Sequence, residues 1–560
     1  MFTIDNCLTL QLSRHFSDNF KLYKIMARKK IETLKVCAKP EAVIEIASTG
    51  VRLSIVEVVS QKGADENLEG KTENARSVFW NTLDRSNIPI AFGAEVFATG
   101  QIKQSSISQC IQILARYKEQ LASWGLAPQD ATVIATSALR ESHDRDSIID
   151  RIFVRTGFTV RIIDGLEESR LMYIAVRECF KDSPINLADD DFIILEAGGG
   201  STELTLLKKG SIVGAHSFRL GAARVERRLG QVGATDTTQR YVRQFILNSK
   251  NSLNEELKNL KVKSFIAVGK IPQIAALYVG KSISTFLWEI PREKFFEFAN
   301  EIQNYSVEEC MARFKISYND AAQMHTGFFI YETFFELSDA KTIIVPETNL
   351  REGILISKID SPDEELQQEF YKQISAGALN LLRKYHGDES HASYVAKTSL
   401  EIFDELKDES ALDKHARVLL EAAAMLHDIG IFVRMENHHL HSAYIISNSE
   451  FFGLGKNEIT IISEIAKYHR GNANPQDDEQ FQMLPRAERM MILKLTSIIR
   501  IADALDRGHT QKFEQLKFSR QKDSFVIDTG NRHNTVLERR ALGEKGEMFE
   551  SVFGYKVILT

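Results

Sequence analysis

The chain has few cysteines for its length. Cys7, Cys37, Cys110, Cys179 and Cys310 are scattered through 560 residues with no Cys-x-x-Cys pair. That spacing indicates neither a disulfide framework nor a thiolate zinc site, and a reducing cytoplasm suits it best. No apolar run reaches the length needed to span a bilayer, so no membrane association is expected. The first 38 residues mix Asp5, Arg14, His15 and Asp18 with the basic run Arg28-Lys29-Lys30, and read as a disordered leader or an overcalled start. Neither sign of charge dominates. A formal net charge of −6 offers no global attraction for nucleic acid or an anionic membrane. No sequence-specific nucleic-acid partner is expected, and a polyanionic substrate has to be drawn by a local basic groove.

The informative stretch is Ile193-Ile-Leu-Glu-Ala-Gly-Gly-Gly-Ser-Thr-Glu-Leu-Thr-Leu-Leu207. It reads as a phosphate-binding hairpin. Ile193 to Leu195 suit a buried strand and Leu204 to Leu207 a returning one. Gly198, Gly199 and Gly200 allow a tight turn with successive N–H groups facing an anion, and Ser201 and Thr202 add hydroxyl donors. Glu196 and Glu203 aim carboxylates at whatever the turn holds, which suits a metal ion or an attacking water. Upstream, Ala42 to Val58 repeats the pattern of strand, acid (Glu45), small-residue turn (Ser48, Thr49, Gly50) and strand. This weak duplication is expected where two similar lobes each offer a hairpin to a shared cleft. Strand and helix patterns alternate from 105 to 180, as in α/β lobes, and beyond about 360 helices predominate. The stretch Ser357 to Glu364, with Ser361-Pro-Asp, is the expected linker, and the length suggests roughly three to four domains.

Four motifs then fall in a telling order. They are Ala135-Thr-Ser-Ala-Leu-Arg-Glu141, Asp164-Gly-Leu-Glu-Glu-Ser-Arg-Leu171, Gly198-Gly-Gly-Ser-Thr-Glu-Leu204 and Leu350-Arg-Glu-Gly-Ile-Leu355. Together they resemble the exopolyphosphatase and guanosine pentaphosphate phosphohydrolase (Ppx/GppA) family over about residues 40 to 560. The resemblance implies an α/β fold of two actin-like (ASKHA, ribonuclease H-like) lobes, at 39–163 and 164–358. An all-α HD-like domain (365–512) and a small C-terminal segment with short strands (513–560) would follow. It implies a hydrolase that releases orthophosphate from inorganic polyphosphate or guanosine pentaphosphate with Mg²⁺ or Mn²⁺, a binding partner in polyphosphate or guanosine penta- or tetraphosphate, a cytoplasmic location and a homodimer. Motif by motif, Glu168 becomes the catalytic glutamate and Glu203 its partner. Ser48, Thr49, Gly50, Arg140, Gly198, Gly199, Gly200, Ser201 and Thr202 become phosphate contacts, with Glu45 and Glu196 as Mg²⁺ ligands. Arg140 reads equally well as a phosphate clamp or as the ion-pair partner of Glu141 or another acid. A helix start near Glu168 favours its ionised form, and substrate phosphate would push its pKa back up. The chain departs from the family where Glu45-Ile-Ala-Ser-Thr-Gly50 replaces Asp-x-Gly-Ser-Asn-Ser, and where Glu196 replaces an Asp. Each extra methylene moves a carboxylate by roughly 1 Å, a displacement large enough to matter in a tuned site.

The helical portion carries a second constellation of His391, His427-Asp428, His438, His439, His441, His469, Asp503 and Asp506. Its order resembles the HD superfamily of metal-dependent phosphohydrolases, which maps His391, His427, Asp428 and Asp503 onto ligands of an additional divalent metal. Imidazole and carboxylate together suit Mn, Fe, Zn or Mg. Two other readings stay open at this point: chemistry in the HD-like domain with regulatory lobes, and a non-catalytic polyphosphate or alarmone sensor.

Overall fold

The computed structural model describes residues 40–60, 78–229, 235–258, 260–359, 364–449, 451–470, 475–530 and 534–560. The expected leader and the middle of the expected linker, 360–363, lie outside the described residues. Ser357 itself belongs to the helix Leu350–Ile359, and the next helix begins at Glu364, so the break is shorter than the Ser-Pro-Asp signal suggests.

Two sheets form the α/β part. The first comprises β1 (Glu41–Ala47), β2 (Gly50–Ser60), β3 (Val78–Pro89), β4 (Ala131–Ala135) and β5 (Val160–Ile162), in the order β3-β2-β1-β4-β5. β1 pairs antiparallel with β2 and parallel with β4. The second comprises β6 (Asp191–Ala197), β7 (Thr202–Lys208), β8 (Ser211–Phe218), β9 (Val262–Val268), β10 (Lys281–Ser282), β11 (Leu287–Pro291) and β12 (Thr342–Pro346). Its order is β10-β11-β12-β9-β6-β7-β8, so β8-β7-β6-β9-β12 repeats the first sheet, with β10 and β11 added at one edge. The hairpins β1–β2 and β6–β7 occupy equivalent places, as the paired sequence pattern implies.

Side-chain alternation along the central strands builds three cores from two sheets. Ala42, Ile44 and Ile46 enter one cluster and Val43 another; Ile193 and Leu195 enter one, and Phe192 and Ile194 another. Val43 and Phe192 meet in a shared core around the helix Gly165–Phe180, which is buried along most of its length. That helix starts where the Asp164 carboxylate accepts the Glu167 N–H at 2.8 Å, a side-chain cap that fixes the direction of its first turn. The helix Leu350–Ile359 crosses it closely: a Cβ on Gly353 would stand 2.0 Å from the Leu171 carbonyl oxygen. The two helices therefore hold the sheets together beneath the hairpins.

The remaining chain is helical, with its own core of residues from 374 to 559. The helices Glu389–Glu405, Lys414–Leu426, His438–Ser447, Lys456–Tyr468 and Arg486–Leu505 surround it. The C-terminal stretch holds more structure than short strands. It is a sheet of β13 (Lys517–Gln521), β14 (Ser524–Asp528) and β15 (Lys556–Leu559) plus the 18-residue helix Val536–Phe553. Phe525, Ile527, Leu542 and Phe549 of this unit enter the helical core. Among the described residues no helix is long and apolar enough to cross a membrane.

Candidate active site between the two hairpins

The two equivalent hairpins differ at one cross-strand pair. On β1–β2, Glu45 lies opposite Arg52; on β6–β7, Glu196 lies opposite Glu203. The first pairing makes an ion pair, with Arg52 Nη1 2.7 Å from Glu45 Oε1. Arg351 donates to the other Glu45 oxygen. Burial opposes ionisation of Glu45, yet the two guanidinium groups hold its carboxyl below the usual carboxylate range. Both oxygens are thus engaged, which does not suit the expected role as a Mg²⁺ ligand. Arg351 belongs to a motif read from sequence, but only the fold brings it to Glu45.

The second pairing makes an acid pair. Burial, then the charges of Glu203, Glu168 and Glu45, push Glu196 well above the ordinary carboxylate range. Burial and the charge of Glu168 raise Glu203 to about 8, although Ser217 donates to its Oε1 at 3.2 Å. Glu168, in the first turn of Gly165–Phe180, is raised to about 7. Burial is the main cause; Arg140 opposes it, while Glu45 and Asp164 add repulsion. Burial therefore outweighs the helix start that was expected to favour the ionised form. Three acids that repel one another, Glu168 and Glu203 among them buried, form a site that becomes favourable when a cation or protons neutralise it.

Arg140 takes the ion-pair role, with Glu168 rather than Glu141: its Nη1 donates to Glu168 Oε1 at 2.6 Å and to the Ile163 carbonyl at 2.5 Å. Glu141 instead reaches Arg224 at 2.6 Å, a residue without a sequence signal. Arg224 also donates to the Gly200 carbonyl at 2.7 Å and lies over the Phe97 ring, so it fastens the second hairpin to the first sheet.

The glycine turn is packed on both sides. A Cβ on Gly199 would stand 2.9 Å from Thr49 Cγ2, and one on Gly200 would stand 2.3 Å from Ser137 Oγ. Only glycine lets the first hairpin and the strand-end helix approach this closely. The turn carbonyls of Gly198 and Gly199 accept N–H groups at 3.1 Å from Ala222 and Arg224, at the start of the helix Ala222–Leu229. Ser48 and Ser137 share a hydroxyl hydrogen bond of 2.9 Å at the same junction, and Ser201, next to Gly200 in sequence, is buried. Two expected phosphate contacts also have structural roles. The Thr202 hydroxyl donates to the Leu220 carbonyl, and Gly50 opens β2 against Pro89.

In the helical part, the four expected metal ligands converge. His391 Nε2 lies 3.6 Å from Asp503 Oδ1 and 4.0 Å from Asp428 Oδ2, and His427 Nε2 lies 3.7 Å from Asp428 Oδ2. Gly430 sits in a short 3-10 turn, where a Cβ would meet the His438 carbonyl oxygen at 2.1 Å. It brings the helix His438–Ser447 against the cluster. Lys545, on the C-terminal helix that sequence reading missed, ion-pairs with Asp503 Oδ2. Burial lowers its ammonium to about 8.

A glycine turn, hydroxyls and acids thus meet at the junction of two duplicated hairpins in an α/β protein. Residues 74–362 match the family model for the Ppx/GppA phosphatase family, and residues 375–545 match that for Ppx/GppA phosphatase domain III. The chain belongs to the Ppx/GppA phosphatase family. It is 23% identical over 397 residues to guanosine-5'-triphosphate,3'-diphosphate pyrophosphatase of Pseudoalteromonas translucida (strain TAC 125), covering 70% of this chain and 76% of that protein. An exopolyphosphatase structure from Cytophaga hutchinsonii is similar at 17% identity and TM-score 0.48, over 57% of this chain and 98% of that one. The Aquifex aeolicus Ppx/GppA family member gives 20% identity and TM-score 0.43, over 58% and 99%.

Proposed function

We propose that the chain hydrolyses phosphoanhydrides in the cleft between two ASKHA-type lobes, releasing orthophosphate from inorganic polyphosphate or guanosine pentaphosphate. The observation that carries this reading is the trio of mutually repelling acids at the glycine turn, Glu168 and Glu203 buried and Glu196 partly so. The names of the relatives support the substrate class.

Glu168 takes the proton from the attacking water. Its pKa of about 7 suits a general base, being close enough to neutrality for both proton uptake and release. Arg140 fixes the carboxylate through Oε1 and leaves Oε2 for the water. Glu203, steadied by Ser217, orients that water. The glycine turn with Ser48, Thr49 and Ser201 receives the terminal phosphoryl oxygens, so that positioning does most of the work, as phosphoryl transfer requires. The residues fit a divalent cation: Glu196 and Glu203 would hold it, because the acid pair has excess negative charge, and Glu45 would not. Mg²⁺ or Mn²⁺ bound there supplies charge neutralisation on the phosphoryl oxygens.

The direct test is orthophosphate release from long-chain polyphosphate and from guanosine pentaphosphate. Glu168→Gln should lower it by about 10²- to 10⁴-fold, the range typical of a lost general base, while substrate still binds. Equal rates in wild type and variant would reject the reading.

A further inference from the structure

The helix Gly165–Phe180 has a second face, which the proposed chemistry does not use. At roughly 3.6 residues per turn, two positions along a helix turn the chain by about 200°, so Arg170 looks away from Glu168. What it meets is the helical portion. Its guanidinium lies over the ring of Phe370, 5.5 Å from the centroid. Further along the same helix, Tyr173 meets Phe370 at 6.5 Å and Phe452 at 6.2 Å, both edge to face, and those two rings lie 6.5 Å apart. Phe370 belongs to the helix Glu364–Lys384, and Phe452 shortly precedes the helix Lys456–Tyr468. Phe452 is buried in the core shared by the two sheets and not in that of the helical portion. The helical portion thus grips the helix that presents Glu168.

Charge makes this contact specific. Burial lowers the pKa of Arg170, Glu167 and Glu458 pull it back up, and Arg161 repels it. Glu167 is a contested partner, because Arg170 Nη2 stands 4.0 Å from its Oε1, the oxygen that Arg161 already holds. Glu458 comes from the helical portion, and both its oxygens are tied. Oε1 pairs with His415 Nε2, and Oε2 accepts the Gly455 N–H at 2.5 Å. Burial opposes ionisation of Glu458, yet His415, that N–H and the charge of Arg170 hold it below the usual carboxylate range. It is a fixed negative charge at the start of Lys456–Tyr468, acting on a half-buried cation of the helix that bears Glu168.

Removal of that charge leaves Arg170 with Glu167. Arg170 then competes with Arg161 for the residue next to Glu168, in the first turn of the helix. A misplacement of roughly 1 Å in a positioned group can cost about 10²-fold in rate even when its cause lies far from the chemistry.

We propose that Glu458 is a positioning residue for the reaction at the glycine turn. It holds Arg170, and through Arg170 the first turn that carries Glu168, so that the helical portion sets the turnover of a site to which it contributes no atom. This rests on the reading of Glu168 as the base.

The experiment uses the full chain and compares wild type, Glu458→Gln, Arg170→Gln, the double variant and Arg170→Lys. Orthophosphate release is measured from long-chain polyphosphate and from guanosine pentaphosphate, and amide hydrogen exchange is followed over residues 165–169 without substrate. Glu458→Gln should lower kcat by about 10- to 100-fold and change KM by less than about twofold, because substrate binds at the hairpins. The double variant should be no slower than the slower single one, since both changes remove one interaction. Arg170→Lys keeps the charge and should recover most of the kcat lost in Arg170→Gln. Exchange in the first turn should quicken in Glu458→Gln. Wild-type kcat and wild-type exchange in that variant overturn the inference, and so do additive losses in the double variant. Should Glu458→Gln not fold, equal kcat in Arg170→Gln and Arg170→Lys overturns it. Exchange also separates the two readings. Quickened exchange alongside a fully active Glu168→Gln rejects the base, whereas unchanged exchange alongside an inactive Glu168→Gln rejects the role of Glu458.

Discussion

In the proposed mechanism the chemistry depends on one proton at Glu168. As a base it acts only when ionised, and its carboxyl titrates at about 7, so activity should climb as pH rises through that value and level off above it. Arg140 is the strongest influence holding that pKa down. Arg140→Gln should therefore move the acidic limb of the pH–kcat profile upward. A limb that stays near pH 4.5 in both proteins would show that some other group is the base. The places of Glu168 at a helix start and Glu203 at a strand start were legible in sequence because they sit in local motifs. Their partners were not. Arg351 meets Glu45 and Arg224 meets Glu141 across long stretches of chain, and such pairing leaves no periodicity to read. The Thr202 hydroxyl misleads for a related reason: a strand position decides which face it takes, and here that face meets Leu220.

At the scale of elements, the crossing of Gly165–Phe180 with Leu350–Ile359 carries the site. One helix presents Glu168, the other presents Arg351 to Glu45, and the contact depends on Gly353. Gly353→Ala would place a methyl group 2.0 Å from the Leu171 carbonyl oxygen. The helices must then separate, at a cost of about 1–3 kcal/mol typical of overpacking. Urea unfolding should show the lowered midpoint, and kcat should fall with it because Leu171 lies one turn from Glu168; an unchanged midpoint would mean that the crossing has slack. The elements around this crossing were readable because strand and helix periodicities are strong there. The helix Val536–Phe553 was not, since Gly543 and Gly546 interrupt its pattern and the buried charges of Glu538 and Lys545 hide its inner face. Missing it concealed Lys545, which reaches Asp503 from the C-terminal unit.

For the whole molecule, the question is how a polyanion reaches the glycine turn. Thr49 and Ser137 pack on Gly199 and Gly200, and Arg224 ties the two sides through Glu141 and the Gly200 carbonyl. In the proposed mechanism, substrate entry requires the two hairpins to separate, while the core shared around Gly165–Phe180 acts as the hinge. Cysteines placed across the junction test this. A Cβ on Gly199 would stand 3.6 Å from Ser48 Cβ, within the span a disulfide bridges. The described native cysteines, Cys110, Cys179 and Cys310, are buried and do not compete readily. In Ser48→Cys with Gly199→Cys, oxidation should lock the cleft shut and abolish orthophosphate release. Reductant should restore the rate of the reduced variant, itself slowed because the new side chain crowds Thr49. Should the oxidised protein turn over as fast as the reduced one, the phosphate path does not run between the hairpins, and the buried acids would have to be reached from another face.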